Sequence, residues 1–230
     1  MASWIIHLRV AQGVYRQLGL KYVDEFILGN IAPDSGLPRA DGSGYQPDAA
    51  VSHFRSIDVN GIKDVHEEIF IERYYTDAHR RDYDGGTDSF FLGYLAHLLT
   101  DKLWAEEIAY GAKNMFPDLF AGDRDAFWKK IKRDWYDMDF MYLRDNPDFE
   151  AFRIYENMKD LRNRYVDFFS RDAFEKRREY ITAFYRDGAA NVKERETYLS
   201  AGELDSFVRY AVEEISRLCL GYVCEPLICG

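Results

Sequence analysis

The 230 residues include 47% hydrophobic and 30% charged side chains, a balance that excludes a disordered or fibrous chain and supplies material for a core. Acidic residues outnumber basic ones by 40 to 30, giving a formal charge of −10. Such a chain repels polyanions, which argues against stable nucleic-acid binding and against attachment to anionic membrane surfaces. Divalent ions could still make one cleft locally positive.

The start of the chain, Met1 to Val10, is apolar but broken by His7 and Arg9. It is too short for a signal core or a transmembrane segment. A first helix is expected from about Ser3 to Gly19 and a second from Lys21 to Leu28. A loop rich in Gly, Pro, Asp and Ser then covers Gly29 to Pro47, a length that is often functional. Thr87 or Asp88 can cap a helix running to about Lys113. Asp123 can cap another that stops near Asn146, because the residue before Pro147 avoids helical geometry, and Pro147 suits the first turn of a following helix. Ser170, Asp172 and Glu175 mark a further start with Gly188 as its stop. Ser200 and Glu203 form a capping box that opens the last helix. No alternating pattern competes, so the expectation is an all-α, single-domain multi-helix bundle over residues 1–230. Cys219, Cys224 and Cys229 lie five apart near the C-terminus. Their odd number without a signal peptide points to reduced thiols and a cytoplasmic location.

The strongest chemical signal is Gly93-Tyr94-Leu95-Ala96-His97-Leu98-Leu99-Thr100-Asp101. His97 and Asp101 are four apart and share a helix face with Phe90, Tyr94, Trp104 and Ile108. A carboxylate inside an apolar stripe needs a cation, strong donors or a metal; the plain reading is a buried His–Asp pair. In the helix after Asp123, Asp134 falls among Phe127, Ile131, Met138 and Met141, with Asp137 toward the flank. A salt bridge to an arginine at the core edge would satisfy Asp134 equally well. His7 rides near the face formed by Trp4, Leu8, Ala11, Tyr15 and Leu18. Asp34, before Ser35-Gly36, reads as a turn residue or a functional loop acid. His53 is uninformative alone, and His66 and His79 look solvated. Three helices each turning an ionisable group inward is how metal sites in bundles are built.

Taken in order, His7, the loop acid Asp34, the isolated His53, and His97 with Asp101 in one long helix resemble the zinc-dependent phospholipase C and S1/P1 nuclease superfamily. The resemblance covers roughly the first half of the chain. It implies that fold, with two or three zinc ions. His53, His97, Asp101 and Asp34 would hold one metal, His7 and Asp101 another, and Asp101 would bridge. It further implies hydrolysis of a small phosphoester or phospholipid headgroup by a metal-activated water, with Asp34 as general base or outer ligand. The chain departs from the family at Trp4, which lies only three residues before His7, and in having no histidine after His97. Asp134 and Asp137 are the nearest substitutes for the downstream ligands, and a site built on them would favour a harder ion. A non-catalytic helical protein with one structural metal, or a nucleotide-directed phosphodiesterase on the same scaffold, are the rival expectations.

Overall fold

A computed structural model describes residues 1–57, 63–188 and 198–223. The architecture is all-α, with two short two-stranded ribbons. Helix α1 (Trp4–Leu18) is capped by the Ser3 hydroxyl and ends at Gly19, whose φ of +63° gives the left-handed turn. Helix α2 (Val23–Ile31) runs three residues further than expected. A single 3₁₀ turn, Ala32–Asp34, follows it. The expected loop to Pro47 therefore begins later, and it carries an antiparallel ribbon of β1 (Leu37–Pro38) and β2 (Tyr45–Gln46). Helix α3 (Ala49–Ser52) leads into β3 (Arg55–Ile57), which pairs with β4 (Lys63–Val65). These pairings are too short to produce a run of alternating residues, which is why the sequence shows no strand signal.

Helices α4 (Glu67–Tyr74) and α5 (Asp77–Arg81) precede the central helix α6 (Gly85–Trp104). Its cap is Asp84, which accepts from the Thr87 amide, rather than Thr87 or Asp88. Every residue from Ser89 to Asp101 is buried, because α6 packs against α1, α2, α4 and α12. A π turn at Ala105–Ala109 separates α6 from α7 (Tyr110–Met115), so the expected single helix to Lys113 carries an extra residue in its middle. Helix α8 (Pro117–Gly122) leads into α9 (Arg124–Asp145), capped by Asp123 as expected. Helix α10 (Glu150–Asn157) starts three residues after Pro147, which thus lies outside its first turn. Helices α11 (Ala173–Asp187) and α12 (Ala201–Val223) complete the order. Ser200 and Glu203 form the reciprocal bonds of a capping box, with the Ser200 amide donating to Glu203 at 2.8 Å and the Glu203 amide to Ser200 Oγ at 3.2 Å.

One connected apolar cluster runs through the described residues, from Ile5 on α1 to Cys219 on α12. Burial pushes the Cys219 thiol up to about 12, while Cys224 and Cys229 lie outside the described residues. No helix among the described residues is long and apolar enough to cross a membrane.

The contact that positions the functional residues is between α2 and α6. Gly29 and Gly93 face each other's helix so closely that a Cβ on Gly29 would lie 1.9 Å from the Phe90 carbonyl oxygen. One on Gly93 would lie 2.0 Å from that of Phe26. Only glycine permits this approach, and it brings Asn30 against His97.

Candidate metal centre

Five of the seven sequence candidates meet in one buried cluster. His7 comes from α1, Asp34 from the turn after α2, His53 from the end of α3, and His97 and Asp101 from successive turns of α6. His7 Nε2 lies 3.3 Å from Asp101 Oδ1, and His97 Nε2 lies 3.6 Å from Asp101 Oδ2. His53 Nε2 is 3.8 Å from Asp101 Oδ2 and 3.2 Å from Asp34 Oδ1. The rings of His7 and His97 stack at 3.7 Å and are parallel within 6°. Two sets of three, His7–His97–Asp101 and Asp34–His53–His97, each have their ligand atoms within 4.8 Å of one another. Zinc bonds of about 2.0–2.2 Å put tetrahedral ligand atoms about 3.3–3.6 Å apart; the His7–Asp101, His97–Asp101 and Asp34–His53 separations lie near that range, and the 3.8 Å between His53 and Asp101 lies outside it.

Two of the three rings, those of His97 and His53, are oriented by a partner outside the cluster. His97 Nδ1 donates to the Asn30 carbonyl at 2.7 Å, which leaves Nε2 facing the acids. His53 Nδ1 meets Ser52 Oγ at 3.0 Å, and the Tyr94 hydroxyl donates to the Ser52 carbonyl, tying α3 to α6. Metal-binding histidines are held in this way, with the second nitrogen fixing the tautomer and the direction of the first. The Ala2 amide donates to Asp101 Oδ1 at 2.9 Å.

Several inward-facing atoms nevertheless have no hydrogen bond. Both nitrogens of His7, Nε2 of His97 and Oδ2 of Asp101 are buried without a hydrogen bond, although His7 Nε2 and His97 Nε2 lie within ion-pair distance of Asp101. Leaving one such group unsatisfied costs about 1–3 kcal/mol. Three imidazoles crowd one carboxylate at ion-pair distances of 3.3–3.8 Å, and Asp101 Oδ2 lacks a well-aligned hydrogen bond. A shared cation would take one nitrogen of His7 together with His97 Nε2 and Asp101 Oδ2, and the donor set of imidazole with carboxylate suits zinc.

The titration directions of His7 and His53 agree with that chemistry, whereas that of His97 favours its protonated form beside the acids. Burial, reinforced by His97, lowers His7 to about 4, and burial also lowers His53. Both are thus neutral ligands near pH 7. For His97 the desolvation works the other way from the outcome: the Asp101 and Asp34 carboxylates outweigh it and raise the pKa. Burial opposes ionisation of Asp101, yet the α-amino group and the imidazoles of His7 and His97 hold it well below the usual carboxylate range. Burial likewise opposes ionisation of Asp34, and His53 and His97 overcome it.

Asp134 and Asp137 do not join the cluster. Asp134 is buried as its position predicts, but its Oδ2 accepts the backbone amides of Tyr198 and Leu199, each at 3.0 Å. It pins the segment before α12 to α9. An inward position on a helix does not distinguish a cation from two amides as the partner. Asp137 is half-buried on the same helix and belongs to neither ligand set. Helix α9 also holds a fully buried acid that is not among the sequence candidates: Asp139 accepts from Ser3 Oγ and Tyr185 Oη, each at 2.7 Å. Trp135, Met138 and Tyr142 share its face at helical spacing, a signal visible in the sequence.

The cluster is reached from solvent. A cavity of about 310 Å³ is lined by Asp34 and His53 together with Trp4, Tyr136 and Arg177. A second, of about 450 Å³, opens on Asp101. Arg55, Lys132 and Trp135 line both. No protein-family model, curated protein or solved structure matches the chain.

Proposed function

We propose that this protein is a metal-dependent phosphoester hydrolase whose zinc ions are held by His7, Asp34, His53, His97 and Asp101. The observation that supports this most directly is the set of buried nitrogen and oxygen atoms without hydrogen bonds converging on Asp101 beside solvent-reached cavities. The order of these residues along the chain, which resembles the phospholipase C and S1/P1 nuclease superfamily, supplies the reaction class. Metal ions bound there would polarise the phosphoryl oxygens and activate water near neutral pH.

The chain's own groups have distinct tasks. Asp101 turns Oδ1 toward His7 and Oδ2 toward His53 and His97, so its two oxygens can serve two ions. His97 has a single free nitrogen because the Asn30 carbonyl takes the other. Asp34 stands at the cavity wall with Oδ1 on His53 Nε2. There its free oxygen can orient a water at the cavity.

Metal analysis of protein purified without chelator should find about two zinc ions per chain. Cleavage of a p-nitrophenyl phosphoester should disappear with chelator and return with zinc. His97→Ala should lose metal and lower turnover at least about a hundredfold, the scale on which positioned acid–base or metal chemistry acts. Activity that survives complete removal of metal overturns the proposal, as does a folded protein that binds none.

A further inference from the structure

Building on the hydrolase reading, we infer that the substrate is an anionic phosphoester with an apolar tail, its charge held by Arg55 and Lys132 and its tail lying in the cleft beside Asp101. The chain as a whole is acidic, with 40 carboxylates against 30 bases. This cleft runs the opposite way: Arg55, Lys113, Arg124 and Lys132 line it, against Asp101 and Asp125. None of the four bases forms an ion pair with a carboxylate among the described residues. Arg55 has a buried Nε without a hydrogen-bond partner, and its one hydrogen bond runs from Nη1 to the Met1 sulfur. Lys132 is solvent-accessible but crowded, and that desolvation with the adjacent Arg55 lowers its pKa. Two cations that repel each other at the mouth of a metal centre are satisfied by an incoming anion.

The remaining walls are apolar. Trp128, Trp135 and Phe120 face the cleft, and the Phe120 ring has Lys113 Nζ 4.8 Å and the Arg124 guanidinium carbon 5.1 Å from its centre. The floor is made by the π turn. In a regular helix Lys113 would point about 120° away from Asp101, at 100° per residue. The wider turn at Ala105–Ala109 reduces that rotation, so Asp101, Ala105, Ala109 and Lys113 all border one cavity. Small side chains at 105 and 109 leave room for a tail of about 450 Å³ or less. A choline headgroup would set its cation against Arg55 and Lys132. A ligand that carries only the anion is the one this charge pattern accepts.

The test is tryptophan fluorescence titration of the zinc-loaded protein with octylphosphonate and methylphosphonate, which have no phosphoester bond to cleave, and with octylphosphocholine, read before turnover. Octylphosphonate should bind at least tenfold tighter than either of the others. Lys132→Gln should erase the preference over the choline ester, and Trp128→Ala the preference over the methyl compound. Equal affinities across the three ligands in the unmodified protein overturn the inference without any variant. Because binding is read without catalysis, its failure is separable from that of the hydrolase reading. Metal-dependent hydrolysis with no ligand preference sinks only the substrate class, and the preference without hydrolysis sinks only the reaction.

Discussion

The carboxyl of Asp139 lies in the same helix as Asp134, yet its surroundings differ in kind. Asp134 receives two backbone amides, whereas Asp139 is fully buried with only the hydroxyls of Ser3 and Tyr185 beside it. Burial outweighs those two bonds and lifts its pKa to about 7. The consequence for stability has a definite sign. Between the ordinary carboxylate value near 4 and about 7, the folded state holds a proton that the unfolded state has released. Stability from this group is therefore fully present at low pH and is lost as pH rises through about 7. A rise of that size corresponds to about 4 kcal/mol at most. Urea midpoints at pH 5 and pH 8.5 should fall with pH in the unmodified protein, and the fall should be smaller in Asp139→Asn, which cannot ionise. Identical pH dependence in the two proteins would show that Asp139 is charged in the fold.

At the scale of elements, the α2–α6 contact decides where the metal centre can form. Gly93→Ala puts a methyl group against the Phe26 carbonyl, a backbone atom that cannot swing aside. Overpacking of this kind costs about 1–3 kcal/mol, and the melting temperature should fall by about 2–12 °C, using about 2–4 °C per kcal/mol at this chain length. Zinc affinity should fall with it, because the Asn30 carbonyl that orients His97 moves away. Gly111→Ala is the contrast: nothing lies within 4 Å of the added carbon, so helix propensity should leave the protein equally or more stable by about 0.5–1 kcal/mol. Similar losses in both variants would remove the close approach as the reason for Gly93. This contact also marks how far the sequence can be read. The four-residue spacing of His97 and Asp101 inside an apolar stripe and the inward turn of Asp134 derive from helical periodicity, and the caps at Asp123 and Ser200 from residue type. Periodicity has nothing to say about Asp34 and His53, which sit on turns and reach the cluster only through tertiary packing; only their order along the chain points to them. The π turn is equally silent, because Ala105-Glu106-Glu107-Ile108-Ala109 is an ordinary helical run. Its effect is to rotate the next turns of helix, so that Lys113 reaches the cleft and Ile108 leaves the stripe in which a regular helix would place it.

Across the whole molecule, the cluster ties together segments far apart in the chain: α1 at His7, the turn at Asp34, the end of α3 at His53, and α6 at His97 and Asp101. Without an ion, the fold carries the cost of buried atoms without hydrogen bonds on His7, His97 and Asp101. With one, the same atoms become a cross-link that the unfolded chain cannot form, and binding energy becomes folding energy. A ligand at a thousand times its dissociation constant stabilises by about 4 kcal/mol. For a chain of this length, stripping zinc should therefore lower the melting temperature by about 8–16 °C, and restoring zinc should recover it. The His97→Gln variant separates this from a general effect of chelator, since it removes a ligand while keeping a polar side chain of similar size. Its melting temperature should be close to that of the stripped protein and should not respond to chelator. The arrangement also predicts where the loss is felt first: amide exchange should speed up at α3 and at the 3₁₀ turn holding Asp34, which are short and rest on the cluster, before it does in the buried middle of α6. If chelator changes neither the melting temperature nor those exchange rates, the histidines and acids hold the fold by packing against one another, and no cation completes them.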